Sequence, residues 1–193
     1  MPGVQLPLNV FEPRYLNMTQ DALAGAHLIG MIQPVSASES EEVPALHRVG
    51  CAGRITSYSE TNDGRVVMVL TGVCRFEVLR ELETRRGYRR VKAGWERYAI
   101  DYHAEESSMA DRDSFLGSLH AYSQLKRVEL PWKEIKDMPE ADLVNLLCAH
   151  LPLDPGDKQA LIETLDLRDR AELMRGLMDM SSASGVRAAE HRH

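Results

Sequence analysis

Apolar positions change their rhythm about halfway along this chain, from a period of two to a helical period. Val49 to Tyr58 alternates as a strand does, and Asn62-Asp63-Gly64 then offers residues that tolerate positive φ, a hairpin signal. Arg65 to Leu70 reads as the returning strand, Cys74 to Leu79 extends the meander, and Tyr88 to Ala93 adds another strand. Trp95 to Tyr102 is expected to be one more. Upstream, Tyr15, Leu16, Thr19, Ala22 and Leu23 recur at helical spacing behind Pro13, whose missing N–H suits a first turn, and Gly25 is a plausible stop. Leu28 to Ile32 is a short apolar run ending at Pro34, read as a buried strand, and Ser36 to Glu42 reads as a polar loop. Strands this close, with no helix between them, predict a small antiparallel barrel or curled sheet.

The second half is helical. Phe115, Leu116, Leu119, Tyr122 and Leu125 form one stripe, and Pro139 opens a helix carrying Leu143, Leu146 and Leu147. Asp154-Pro155 starts a third, with Leu161, Ile162 and Leu165 inward, and Asp166 caps a fourth bearing Leu173, Met174, Leu177 and Met178. The expected class is α+β: a β-barrel over residues 1–104, a helical bundle over 105–182 and a flexible tail over 183–193, with the boundary in Tyr102 to Met109.

Composition narrows the function. A net charge of −6 supplies no general attraction for phosphate backbones or acidic membranes, and no apolar run is long enough to span a bilayer. The three cysteines, Cys51, Cys74 and Cys148, are odd in number and lack CxxC spacing, which suits reduced thiols in a cytoplasmic protein.

Pro7-Leu8-Asn9-Val10-Phe11-Glu12-Pro13-Arg14-Tyr15 compresses two prolines, an acid–base pair and two aromatics into one junction. This segment resembles the opening signature of the Lon protease N-terminal (substrate-binding) domain family. The likeness extends through Ile29 to Pro34, Gly50 to Ile55, Asp63-Gly64, Leu70 to Phe76 and Leu151 to Asp166. It implies a PUA-like antiparallel β-barrel followed by a C-terminal α-helical bundle. Unfolded or extended polypeptides, or a protease or chaperone partner, would then be received in the groove between the halves or at exposed barrel edges. Family members carry an apolar strand ahead of a Pro-Gly turn, whereas only Met1 precedes Pro2-Gly3 here; either the first barrel strand is absent or the natural start lies upstream of Met1, and the cost of an unpaired barrel edge favours the second. The motif residues Pro7, Leu8, Phe11, Glu12, Pro13, Arg14 and Tyr15 are expected to be mainly structural.

Catalysis finds no support in the sequence. The phosphate-binding G-x-x-x-x-G-K-[ST] loop of a Lon ATPase is absent, and the five lysines sit in no recognisable protease context. His47, His103, His120 and His150 lack ligand spacing, His27 is loop-bound, and His191 and His193 lie in the tail, so neither metal nor cofactor is expected. Glu12 and Arg14 could clamp a ligand, but anchoring the strand-to-helix turn is the plainer role. Cys51 and Cys74 are expected in the barrel core. Arg85, Arg86, Arg89, Arg90, Lys92 and Arg97 interleave with Tyr88, Trp95 and Tyr98, a composition that can hold single-stranded RNA by charge and stacking. The alternative is a solvated strand face, which the overall acidity favours. Candidate binding residues are therefore Arg89, Arg90, Trp95 and Tyr98 on this strand, with Met180 as an adaptable contact on the last helix.

Overall fold

Asn62-Asp63-Gly64 does close the central hairpin: Gly64 takes φ 79°, and Thr61 and Arg65 bond across the turn. The computed structural model describes residues 1–35, 43–103 and 108–190, with side chains through 183. The Ser36–Glu42 loop, half of the expected boundary (104–107), and His191 and His193 lie outside the described residues. The chain divides into two compact units, Met1–Ala104 and Glu105–His193.

In the first unit the strands are β1 (Gln5–Val10), β2 (Leu28–Met31), β3 (Val49–Glu60), β4 (Val66–Arg85) and β5 (Tyr88–Gly94), with helix α1 (Pro13–Leu23) between β1 and β2. They form one antiparallel sheet in the order β1-β4-β3-β2, with β5 also on β4. The two strands expected between Arg65 and Leu79 are one twenty-residue strand. Its first part carries β1 (Val10↔Val66 to Gln5↔Thr71) and its last part β5 (Glu77↔Gly94 to Arg85↔Tyr88). Register shifts at Ala52/Gly53, Ile55/Ser57, Val78/Arg80 and Leu82/Arg85 mark bulges, which bend and twist a strand without breaking it. The sheet is barrel-like but open, because among the described residues β2 pairs with β3 alone.

Helix α1 lays Leu16, Met18, Ala22 and Leu23 against a core of Val10, Ile29, Ile55, Met68 and Leu70. The buried Thr19 hydroxyl donates back to the Tyr15 carbonyl at 2.8 Å.

Trp95 to Tyr102 is not a strand. Glu96–Tyr102 is a 3₁₀ segment, and a buried ion pair explains the departure. Arg75 on β4 grips Asp101 through Nη2 at 2.7 Å and Nε at 3.0 Å, while its backbone N–H donates to the same carboxylate at 2.8 Å. Both side chains are almost fully buried, and the guanidinium lies 4.7 Å from the Tyr98 ring centre. Turning the chain back over Arg75 supplies the carboxylate that a buried guanidinium requires, which a continuing strand would not.

The second unit contains α2 (Arg112–Lys126), α3 (Trp132–Asp137), α4 (Glu140–His150), α5 (Pro155–Glu163) and α6 (Leu167–Glu190). Asp111 caps α2 by accepting from the Ser114 N–H at 3.0 Å, and Asp166 caps α6 by accepting from Asp169 at 2.9 Å. Asp154 holds the N-cap position of α5 without a side-chain bond, so that start rests on Pro155. Phe115, Leu119, Tyr122, Leu143, Leu147, Leu161, Met174 and Met178 are buried. Leu125 and Leu165, expected inward, are exposed, at a helix end and in the α5–α6 connection. The buried Arg170 donates to the Leu165 carbonyl and to Asn145 Oδ1, each at 3.0 Å, tying that connection to α4. Helix α6 runs on past Ser181, and Ser182 bonds back to the Met178 carbonyl at 3.0 Å.

Asp101→Ala removes the carboxylate that faces the buried Arg75 guanidinium, and the expected cost is about 3–5 kcal/mol of folding free energy. Urea unfolding followed by circular dichroism measures it.

Candidate functional site

Two glycines make room for the site. A Cβ on Gly50 would fall 2.6 Å from the Met31 carbonyl oxygen and 2.7 Å from Ile32 Cγ1, and one on Gly30 would fall 3.1 Å from Phe76 Cζ. The Phe76 ring therefore fits beneath bare backbone. Its centre lies 5.5 Å from that of Trp95, tilted by 53°. Over these rings opens a groove of about 580 Å³, bounded by α1, β2 and β5 and contained within the first unit. Ile32, Phe76, Leu82, Val91 and Trp95 supply its apolar lining.

Cations surround this floor, and most are already engaged. The β4–β5 turn is a two-residue loop, Arg86-Gly87, with φ 48° and 88°. An arginine in that conformation is unusual, and α1 holds it there. Arg86 donates to Asp21 at 2.7 Å, Asn17 at 2.8 Å and Gln20 at 3.0 Å, and its carbonyl accepts from Asn17 at 3.0 Å. The Tyr88 hydroxyl donates to the other Asp21 oxygen at 2.8 Å, and Arg85 lies 3.6 Å from it. Arg89 pairs with Glu81 and donates to the Pro44 carbonyl at 2.6 Å. Arg97 pairs with Glu77 at 3.1 Å. Arg90, exposed on the groove's edge, has no ion pair or hydrogen bond among the described residues.

The residues singled out from sequence therefore separate. Arg89, Arg90 and Trp95 line the groove, whereas Tyr98 is wholly buried between Arg75 and Arg97 and does not reach it. Met180 is exposed on α6 in the other unit. Within the opening motif, Pro7 and Leu8 lie on β1 opposite Val69 and Met68, and Phe11 is an exposed ring 5.7 Å from the Arg65 guanidinium. Glu12 is the N-cap residue of α1 and Pro13 its first position. Glu12 and Arg14 pair at 2.8 Å, but about half exposed, as a turn anchor would be rather than a buried clamp. Arg14 stacks on Tyr15, with 4.6 Å to the ring centre, and both border the groove. Gly30, Phe76 and Asp21 were not marked by sequence, although a glycine inside an apolar strand is a recognised sign of close backbone approach.

Cys51 and Cys74 are buried and unbridged, as expected of core thiols, and burial pushes the Cys74 thiol up. Among the described residues no group of His, Cys, Asp and Glu could hold a metal ion, and no helix is long and apolar enough to cross a membrane.

This architecture has a family. The chain belongs to the ATP-dependent protease La (LON) substrate-binding domain family, whose model matches residues 1–180. It is 24% identical over 185 residues to Lon protease of Flavobacterium johnsoniae, covering 88% of this chain and 21% of that protein. It is 28% identical over 177 residues to Lon protease of Phenylobacterium zucineum, covering 89% of this chain and 22% of that protein. It thus spans about a fifth of the length of these relatives. The fold is similar to the crystal structure of a Lon N-terminal domain protein from Xanthomonas campestris, with TM-score 0.63 and 24% identity over 90% of this chain and 89% of that one. It is also similar to the N-terminal domain of Mycobacterium avium complex Lon protease, with TM-score 0.56 and 14% identity over 93% of this chain and 91% of that one.

The Tyr88 hydrogen bond, aided by Arg86, holds the Asp21 carboxyl below its ordinary value of 3.8. A depressed folded-state pKa stabilises the fold above the ordinary value, and that contribution disappears as pH falls through the lower one. The β4–β5 turn is therefore expected to loosen from α1 only below about pH 4, the ordinary carboxylate range. The Tyr88 ring resonances should report this loosening, and Asp21→Asn should remove the acid dependence.

Proposed function

We propose that the protein is a non-catalytic module that takes unfolded or extended polypeptide into the groove of its first unit. It acts in protein quality control as an adaptor, through a protease or chaperone partner in the cytoplasm. One observation carries this reading: a groove beside β2, floored by the exposed Trp95 ring packed on the buried Phe76 and rimmed by arginines, in a domain whose family is defined by substrate binding. Rings and aliphatic side chains accept many apolar residues without demanding one shape, while the rim cations orient the chain that carries them. The match to Lon proteases falls on the substrate-binding domain, which supports a role without bond-making. The RNA alternative is disfavoured by the ion pairs, since Asp21 already pairs with Arg86 and Arg85, Glu81 with Arg89 and Glu77 with Arg97.

Trp95 provides the test. In a Trp132→Phe background, its emission should change saturably on titration with a reduced, alkylated and therefore unfolded protein, and stay constant with the same protein folded. Trp95→Ala should weaken binding roughly tenfold, the range expected for an aromatic contact at the centre of a site. Indifference of Trp95 to unfolded chains would contradict the proposal. So would salt-dependent retention of RNA lost on Arg89→Glu with Arg90→Glu.

A further inference from the structure

Resting on that reading, we infer that the occupant binds as an added β-strand on the open edge of β2, and that it is an apolar segment bearing a carboxylate for Arg90. The ladder itself indicates which backbone groups are available. The His27 carbonyl accepts from the Ile55 N–H at 2.8 Å, and β2 continues in the register Leu28↔Arg54, Ile29↔Gly53, Gly30↔Ala52, Met31↔Cys51. In an antiparallel pair, hydrogen-bonded and non-bonded positions alternate. Ile29 and Met31 therefore share the inward orientation of His27, and Leu28 and Gly30 turn their N–H and C=O groups to the other side. Both residues line the groove, and among the described residues those groups meet no partner.

An open edge is ordinarily blunted by charge, proline or a covering element. Leu28-Ile29-Gly30-Met31 has no charge and no proline, and its protection is its four-residue length. Gly30 matters twice here. It offers an unshielded peptide group, and the missing Cβ lets β2 lie directly on the buried Phe76 ring at the base of the groove. A strand laid there sends alternate side chains to one face, so half of them meet the apolar floor.

Charge selects the rest. Arg14 pairs with Glu12, Arg85 and Arg86 share Asp21, and Arg89 pairs with Glu81, whereas Arg90 has no carboxylate partner among the described residues. A carboxylate on the incoming strand supplies the missing acceptor in a two-pronged bond that a lysine cannot imitate. Backbone pairing then gives affinity, and Arg90 with the rings gives specificity.

Short fluorescent peptides of alternating apolar sequence test this by anisotropy against the full chain. A version with glutamates at the polar positions should bind roughly tenfold tighter than its lysine counterpart, the ratio one charge-assisted hydrogen bond supplies. Arg90→Gln should abolish that preference and Arg90→Glu invert it; both alter an exposed side chain. N-methylation of alternate amides removes the donors of one peptide edge. Because an added strand uses one edge, methylating one alternate set should abolish binding and methylating the other should spare it. Equal tolerance of both sets would overturn strand addition, and indifference to Arg90 would overturn the charge preference, each leaving the groove reading intact. Failure of every peptide, with Trp95 also silent to unfolded protein, would overturn the groove reading itself.

Discussion

Every peptide group in a sheet needs a partner on the side to which it points, and a twenty-residue strand multiplies that demand. β4 spreads that demand over three neighbours: β1 and then β5 on one side, and β3 on the other as far as Glu77. Bulges absorb the curvature that this sharing imposes. The sheet bends toward closure, yet among the described residues its last strand, β2, pairs on one side alone. The groove beside that strand is thus a consequence of how β4 distributes its hydrogen bonds.

Two polar clusters keep this geometry from relaxing. At one end, Asp21, Asn17 and Gln20 hold the Arg86-Gly87 turn against α1. Elsewhere, Arg75 and Asp101 fold the segment after β5 back over β4. The first cluster is partly exposed and tunable by acid, while the second is buried, so breaking it costs far more than breaking a surface pair. The first cluster fixes where α1 stands against the β4–β5 turn, and the second fixes the 3₁₀ segment against β4.

Local chemistry was legible in the sequence wherever one residue type sufficed. Pro13 marks the start of α1, Asn62-Asp63-Gly64 marks a hairpin, and Asp166 marks the start of α6. Features that depend on distant partners were not legible. Arg86 at positive φ resembles no turn signal, because the residues that hold it lie on α1, more than sixty positions earlier. The 3₁₀ segment after Trp95 depends on an aspartate reaching back to Arg75, and α3 is too short to show a period. The site was half visible for the same reason. Arg89, Arg90 and Trp95 stand out by composition, while Phe76 and Gly30 belong to strands whose pairing alone brings them together.

Amide hydrogen exchange, read residue by residue with and without a saturating unfolded polypeptide, tests the account most directly. The bound state should protect the Leu28 and Gly30 amides, which face the open edge, far more than those of Ile29 and Met31, already paired with β3. Protection confined to the helices of the second unit, with Leu28 and Gly30 exchanging as before, would contradict it.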